Sequence, residues 1–407
     1  MKIAIFSYYY PSINRTYITS LCDMLVNTGN EVNVHSFFIQ DPVDNFENQY
    51  NKILEKSDNI KNSIFKILRK KIKNFLSLYF FNYTKYFLQC YYVYIERNKQ
   101  KKELHRIKKE LLNYDNYDCS IGIEKGGLIC AYQFYKIKKI PYFYFSLELY
   151  DENHPFVIKS TMLKILRQKE IKAHQKSIGT IIADEDRKNY LYEKGNINHN
   201  IAAFYMPISF NDKKYENKMS VYSNNHNKKI ILNFGYNRLP DDFFVNLLKK
   251  MPIDYIFYMH HYDTSHHIKL SREYALDNFK YSNIFVDEKK VMEIINDSFI
   301  GVCWYQEGNA NDILSAFSSE KTARYLAAGK PIIANEKTNF NKLFHLYKCG
   351  IAVNNPEEFI DAINKITYNY KEFSFQSRNA YEQIYKLSNY EQSLNIYMQN
   401  NIKDSTK

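Results

Sequence analysis

Residues 318–334 read SSEKTARYLAAGKPIIA, and this stretch decides which fold we expect. A helix begins near Ser319, because a serine side chain accepts hydrogen bonds from the unpaired N–H groups of a first turn. Gly329 ends that helix, and Pro331 leads into an apolar strand. A loop, a helix, a glycine and a buried strand in this order are typical of one repeat in an alternating α/β chain.

The same alternation extends in both directions from this stretch. Apolar runs that predict strands are separated by helical patterns, and they lie at 2–7, 31–38, 117–123, 140–146, 179–184, 228–235, 254–261, 283–287, 299–305 and 330–336. Strand and helix in alternation predict a parallel, doubly wound sheet. Because the pattern restarts after a polar gap, we predict an α/β protein with two such sheets, which face each other across a ligand-binding cleft.

The polar gap at 209–228 has no periodicity and is typical of a linker. We therefore predict an N-terminal Rossmann-like domain over 1–208, which carries a basic helical insertion at about 51–110. A C-terminal Rossmann-like domain follows over 229–368. The tail over 369–407 has a polar, helical pattern, and we expect it to cross back onto the first domain.

Cysteine spacing and hydropathy exclude several classes of protein. The six cysteines show no CxxC or Cys/His spacing, so we expect neither a zinc site nor a disulfide framework. No signal-peptide cleavage site follows the first apolar run, and no run of about 18 uncharged apolar residues occurs. We expect a cytoplasmic protein that is neither secreted nor membrane-spanning.

The formal net charge of +12 is concentrated in one segment, since residues 51–110 hold 16 Lys and Arg against 5 Asp and Glu. As a helix, 61–80 places apolar residues such as Ile64 and Phe75 opposite basic residues such as Lys66 and Lys73. Two interpretations stay open. The helix packs its apolar side on its own domain, or it contacts anionic lipid on the inner face of the plasma membrane. No nucleic-acid-binding motif accompanies the charge, so we expect no nucleic-acid partner.

The start of the helix in 318–334 has the chemistry of an anion site. A helix N-terminus presents unpaired N–H groups and a positive dipole, which together attract phosphate. Ser318 and Ser319 lie at this start, and Lys321 follows in the first turn. We predict that these residues bind a diphosphate.

The stretch from Ser319 to Ile332 resembles S-x-K-x-x-E-Y-L-A-A-G-K-P-V-I, a signature of group 1 (family 4-like) glycosyltransferases with the GT-B fold. In that family the lysine contacts the donor diphosphate, and the resemblance gives this role to Lys321. The family's glutamate before the tyrosine binds the ribose, and the resemblance gives this donor-binding role to Arg324 here. A first glutamate that many members carry is replaced by Ala316. The resemblance therefore leaves Glu320 or Glu307 as substitutes.

Residues 232–238, LNFGYNR, resemble the family's first strand and loop of the donor domain. Gly235 allows close approach of the backbone to a ligand. Asn237 and Arg238 follow it, and the family's basic residue at this point reaches the same diphosphate. Arg238 is suited to bidentate contact with phosphate oxygens.

In the first domain, two glutamates follow predicted strands. Glu124 comes after the strand ending at Ile123, and Glu148 stands in SLELY, which resembles a His-Glu-Leu segment of the family with Leu147 in place of the histidine. A carboxylate there orients acceptor hydroxyls or stabilises an oxocarbenium-like charge, or else it only pairs with a lysine. Arg15 resembles a residue of the family's first loop. The catalytic candidates are Glu148, Glu124, Lys321 and Arg238.

The resemblance implies a hexosyltransferase-like enzyme that moves a sugar from a UDP- or GDP-sugar to a glycolipid or surface-polysaccharide acceptor, with retention. Lipopolysaccharide and capsule are such acceptors. We expect no metal and no cofactor. Two alternatives stay open: a catalytically degenerate protein that binds a nucleotide-sugar or a partner enzyme, suggested by Ala316, Arg324 and Leu147, and a sugar-nucleotide 2-epimerase on the same fold.

Overall fold

The computed structural model describes ten ranges of the chain, namely 1–7, 16–36, 102, 105–114, 116–150, 161–210, 228–235, 239–261, 265–284 and 286–405. These ranges contain two parallel sheets of six strands each. The basic helix expected at 61–80 lies outside the described residues, as do Arg15, Asn237 and Arg238. The predictions on them stay predictions.

The first sheet has the strand order β2-β1-β3-β4-β5-β6. Its strands are β1 Lys2–Ser7, β2 Glu31–Ser36, β3 Cys119–Ile123, β4 Tyr142–Phe145, β5 Gly179–Ile182 and β6 Ala202–Tyr205. Its helices are α1 Thr16–Asn27, α2 Glu124–Lys138, α3 Thr161–His174 and α4 Glu185–Gly195. The order reverses between β1 and β3, which is where such a sheet opens a crevice at its carboxyl edge.

The second sheet has the order β12-β11-β10-β7-β8-β9 and reverses between β7 and β10. Its strands are β7 Lys229–Phe234, β8 Tyr255–His260, β9 Phe279–Ser282, β10 Ile300–Cys303, β11 Ile332–Asn335 and β12 Gly350–Val353. The helices up to β12 are α5 Asp241–Lys250, α6 Ser265–Glu273, α7 Glu288–Asn296, α8 Ala310–Ile313, α9 Glu320–Ala327 and α10 Phe340–Tyr347. A single 3₁₀ turn at Ala316–Ser318 precedes α9.

The predicted fold class of two doubly wound parallel sheets is confirmed. Strands β3, β4 and β5 are buried along their whole length, as expected for sheets covered by helices on both faces. One strand prediction is wrong, because the strand lies at Phe279–Ser282 and not at 283–287. Only Phe279 of this edge strand is buried, whereas Ile284 in the apolar run after it is 69% exposed. Because this edge strand buries a single residue, its sequence contains no apolar run from which the strand could be predicted.

The end of the chain returns to the first sheet. Helices α11 Pro356–Tyr368, α12 Tyr370–Ala380 and α13 Glu391–Ser405 follow β12, with a π turn at Tyr381–Tyr385 and a 3₁₀ turn at Leu387–Asn389 before the last helix. Leu394 and Met398 of α13 pack in one core with Ile3 of the first sheet. The Tyr397 hydroxyl donates to the Ala202 carbonyl at 2.9 Å. The predicted domain boundaries themselves stay a prediction.

No helix within the described ranges has the length and apolar character needed to cross a membrane.

Candidate functional site

Segments at the carboxyl edges of the two sheets contact each other. On the first sheet, the loop after β4 and the starts of α1 and α4 form this edge. On the second sheet, it is formed by the start of α7 and by residues 305–321, which follow β10. Side chains from these segments hydrogen-bond across the boundary. The cleft predicted from the sequence therefore has direct contacts between its two walls.

The wall on the second sheet is built around the start of α9. Ser319 caps the helix, and its Oγ accepts from the Thr322 N–H at 3.3 Å. The same hydroxyl hydrogen-bonds to the Tyr305 hydroxyl. The Lys321 ammonium lies 5.0 Å from the centre of the Tyr305 ring. The predicted capping serine and first-turn lysine are thus placed together at a helix start that faces the boundary.

Tyr325 anchors the helix that follows the predicted anion-binding turn. Its hydroxyl donates to the Leu232 carbonyl at 2.8 Å and accepts from the Phe234 N–H at 2.9 Å, which anchors α9 to the end of β7. Its ring lies against Gly301, where an added Cβ would be 2.5 Å from the ring. Gly235, directly after β7, has φ +76° and open space where a side chain would be. The glycine therefore permits a left-handed bend beside the helix start.

Ser318 is one residue before the helix cap, in the 3₁₀ turn. Its hydroxyl accepts from Arg187 Nη1 at 2.7 Å and donates to the Leu314 carbonyl at 3.1 Å. Both hydrogen bonds are made within the protein, so the hydroxyl is part of the contact between the two walls. Its predicted role in diphosphate binding stays a prediction.

Arg324 is 3% exposed and does not face open solvent. Its Nε and Nη2 both donate to Glu320 Oε1, at 2.8 and 2.5 Å. Nη2 also lies 3.5 Å from Thr16 Oγ1 of the first half and 3.6 Å from Glu288 Oε1. The guanidinium stands 4.7 Å from the centre of the Phe210 ring. The arginine at the family's ribose position thus forms ion pairs with two carboxylates of its own half and donates a hydrogen bond across the boundary to Thr16.

The two other positions named from the resemblance differ in their surroundings. Ala316 is fully buried in the core of the second sheet. Glu307 is exposed and pairs with Lys337 at 2.9 Å. Glu320, the first residue of α9, is the carboxylate that lies beside Lys321 and Ser319. The Oε1 of Glu320 already accepts from Arg324, and contact of either substitute with a donor stays a prediction.

Glu124 lies beneath the first wall. It is 2% exposed and has φ +56°, an uncommon backbone conformation at the junction of β3 and α2. Its Oε1 accepts from the N–H groups of Leu147 and Glu148, at 2.6 and 2.9 Å. Burial, followed by the neighbouring carboxylate of Glu148, raises the pKa of Glu124 to about 7. This carboxyl fixes the loop that carries Glu148.

Glu148 faces the second half of the molecule. Its Oε2 accepts from Asn311 Nδ2 at 2.5 Å. Asn311 belongs to the short helix α8, and its Oδ1 accepts from the Leu149 N–H at 2.8 Å and from Arg187 Nη2 at 3.1 Å. The two predicted glutamates are therefore adjacent, and one of them is held from both walls.

Sequence reasoning missed Arg187 and Asn311. Burial lowers the pKa of Arg187, and the nearby carboxylates of Glu148 and Asp184 act in the opposite direction. The sequence does contain a signal for Arg187. A basic residue in the first turn of a helix opposes the helix dipole, so its presence there needs a specific reason. Asn311 has no comparable signal in the sequence.

No three His, Cys, Asp or Glu side chains in the described part of the chain are grouped so that they could hold a metal ion. That the reaction needs no metal stays a prediction.

Comparison with known proteins agrees with this architecture. Residues 249–394 match the family described as glucosyltransferase 3-like, C-terminal domain. No curated protein matches the sequence. Among solved structures, Anabaena Alr3699/HepE in complex with UDP has a TM-score of 0.59 at 10% identity, covering 98% of this chain and 100% of that one.

Two further structures cover nearly the whole chain. WaaG, a glycosyltransferase involved in lipopolysaccharide biosynthesis, has a TM-score of 0.55 at 11% identity, with 95% of each chain covered. UDP-GlcNAc 2-epimerase from Neisseria meningitidis bound to UDP-GlcNAc has a TM-score of 0.58 at 12% identity, covering 98% of this chain and 100% of that one. At these identities the likeness establishes the fold. The chain has the GT-B fold, and its second half contains a glucosyltransferase-like domain.

Proposed function

We propose that this protein is a glycosyltransferase that moves a hexose or related sugar from a nucleotide-sugar to a glycan or lipid-linked acceptor. The proposal rests on one observation: the two walls of the cleft face each other with different chemical groups. The start of α9, with Ser319 and Lys321, offers N–H groups and a positive charge to a diphosphate. Glu148 on the opposite wall offers a carboxylate to the sugar or to its acceptor.

The chemistry of the reaction explains why both walls are needed. When the bond between the sugar and the diphosphate breaks, negative charge grows on the leaving group, and groups that stabilise it there lower the barrier. We assign this role to Lys321 and to the first-turn N–H groups of α9, with Arg238 as a third group from the sequence resemblance. Glu148 orients an acceptor hydroxyl or stabilises positive charge on the sugar. We propose retention of configuration on the resemblance alone.

The donor we propose first is a UDP-sugar, and a GDP-sugar is the second candidate. UDP is favoured because the Anabaena and Neisseria proteins of the same fold were solved with UDP or UDP-GlcNAc. A thermal-shift panel of UDP, GDP, CMP and their sugars tests this, since a ligand that binds the folded chain raises its melting temperature. We expect a shift with one nucleotide class that is lost in the Lys321→Ala, Arg238→Ala double variant.

Lys337→Ala is the matched control for that panel. It removes an exposed lysine of the same half whose partner is the exposed Glu307, so the nucleotide shift should be preserved. Three other outcomes separate the alternatives. A shift without turnover on any acceptor indicates a degenerate binding protein, and appearance of an epimeric nucleotide-sugar without acceptor indicates a 2-epimerase. No shift with any nucleotide contradicts the proposal.

For the acceptor, we propose a glycolipid or a precursor of a surface polysaccharide such as lipopolysaccharide or capsule, used at the cytoplasmic face of the membrane. The support is the basic charge of residues 51–110, which hold 16 Lys and Arg against 5 Asp and Glu. Such a charge favours contact with anionic lipid. We expect the protein to float with anionic vesicles and not with neutral ones. Replacing Lys66, Arg69, Lys70 and Lys73 by Gln should abolish flotation, whereas no flotation of the wild type favours a soluble glycan acceptor.

A further inference from the structure

Arg187 joins the two walls of the cleft. It lies in the first turn of α4, is 0% exposed, and donates five hydrogen bonds outside its own helix. One acceptor is the Leu147 carbonyl of the first wall, at 2.6 Å. The other acceptors lie between Asn311 and Ser318 of the second wall. All five bonds end on neutral oxygens, so the guanidinium connects segments of chain and is not simply paired with one carboxylate.

One amino group of Arg187 fixes the orientation of the Asn311 amide. Asn311 Oδ1 accepts from Arg187 Nη2 at 3.1 Å and from the Leu149 N–H at 2.8 Å. Only the amide oxygen can accept two hydrogen bonds, so the amide nitrogen must face the other way. There it donates to Glu148 Oε2 at 2.5 Å. The direction of the hydrogen bond to Glu148 is therefore set jointly by Arg187 and by the Leu149 N–H.

The second amino group reaches the start of α9. Arg187 Nη1 donates to Ser318 Oγ at 2.7 Å and to the Leu314 carbonyl at 3.0 Å. Ser318 is directly followed by Ser319, the cap of α9. A displacement of the anion-binding turn is therefore transmitted to the same guanidinium that orients Asn311.

We propose that Arg187 is a positioning residue for the transfer reaction, which couples the anion-binding start of α9 to the Glu148 carboxylate through the Asn311 amide. The inference rests on the proposed function and adds two residues to it. Arg187 itself is fully buried and acts through its contacts with Asn311 and Ser318. A planar, forked side chain is required, because two amino groups must reach acceptors on different segments at once, which an ammonium group cannot reproduce.

The kinetic test compares Arg187→Lys, Asn311→Ala and the double variant with the wild type. We expect each single variant to lower kcat by about 100-fold, as a misplaced reacting group does, with a smaller change in the KM of the donor. Because both residues act through one contact, the double variant should lose no more than either single variant. The proposal is contradicted if the loss of kcat in the double variant is the product of the two single losses, or if kcat is unchanged in the single variants.

Asp186→Asn is the matched control. It lies next to Arg187 in the first turn of α4 and also reaches the second half, through a pair with Lys342 at 2.9 Å, but that pair is exposed and does not involve Asn311. We expect its kcat to equal that of the wild type. A loss in this variant as large as in Arg187→Lys would mean that any disturbance of the boundary suffices, which also contradicts the proposal.

A second measurement does not depend on activity. Small-angle X-ray scattering should give a larger radius of gyration for Arg187→Met than for the wild type and Asp186→Asn, with circular dichroism confirming that all three are folded. If the wild type transfers no sugar but the radius still changes, the proposed function fails while the coupling role of Arg187 holds. Identical scattering curves for all three proteins overturn the coupling role.

Discussion

The two walls of the cleft are built in opposite ways. The wall at α9 is assembled from neighbours in sequence, since Ser319 caps the turn that carries Lys321, and Tyr325 of the same helix ties it to β7. The wall around Glu148 is assembled from residues that are far apart in sequence. Glu124, Arg187 and Asn311 converge on it from separate elements. A local motif can be detected from its sequence, whereas the contacts that join a convergent site are seen only in the folded chain.

The largest effect should come from removing the anchor of the local wall. Tyr325→Ala empties a buried aromatic position and is expected to lower the free energy of unfolding by about 3–5 kcal/mol. The measurement is urea unfolding followed by fluorescence of Trp304, the single tryptophan, which is buried in the second half. If the wall at α9 depends on this local anchor, the single substitution is enough to disrupt that wall.

Tyr325→Phe is the control for that substitution. It keeps the ring against Gly301 but leaves the Leu232 carbonyl and the Phe234 N–H without the hydroxyl, which costs about 1–3 kcal/mol. Equal losses in the two variants would show that the ring does not matter. An unchanged unfolding midpoint in Tyr325→Ala would mean that α9 is held by contacts elsewhere.

The convergent wall should respond to pH through Glu124. The pKa of its carboxyl is about 7 in the folded chain against an ordinary value of 4.5, so the folded chain keeps a proton that the unfolded chain releases. Stability should therefore fall as the pH rises from about 4.5 to about 7, by at most about 3 kcal/mol. Glu124→Gln keeps the Oε1 acceptor and removes the titration, so it should gain stability over the wild type as the pH rises through this window.

Thermal unfolding by circular dichroism at several pH values measures this difference. Glu307→Gln removes the same charge at an exposed position and controls for net charge. A constant difference between Glu124→Gln and the wild type across the window would contradict the raised pKa.

The same contrast between the two walls explains which parts of the site could be predicted from the sequence. The cap, lysine and tyrosine of α9 stand within a few residues, so a resemblance over 319–332 was enough to place them. The hydrogen bond between Glu148 and Asn311 joins residues 163 apart, and no local pattern encodes it. The ion pair of Arg324 with Glu320 was readable from its spacing of four residues on a helix, yet alignment alone favoured a ribose contact.

A smaller effect should separate the two roles of the helix start. Ser319→Asp preserves the cap, because aspartate caps as well as serine, but it puts a carboxylate where we propose a diphosphate. We expect little change in stability and a loss of nucleotide affinity of about tenfold, which corresponds to about 1.4 kcal/mol. Isothermal titration with the nucleotide selected by the thermal-shift panel measures it. Ser319→Ala, which loses the cap, should instead lower stability by about 1 kcal/mol.

The smallest effect is expected at the exposed part of the boundary. Lys342→Met breaks the pair with Asp186, and because both side chains are at least 40% exposed, solvent screens their attraction. The loss should stay below about 1 kcal/mol and should shrink further in high salt. Urea unfolding at low and high salt measures it. A loss as large as that of a buried contact would mean that the walls are joined over their whole boundary, and the special position of the buried Arg187 would then have to be abandoned.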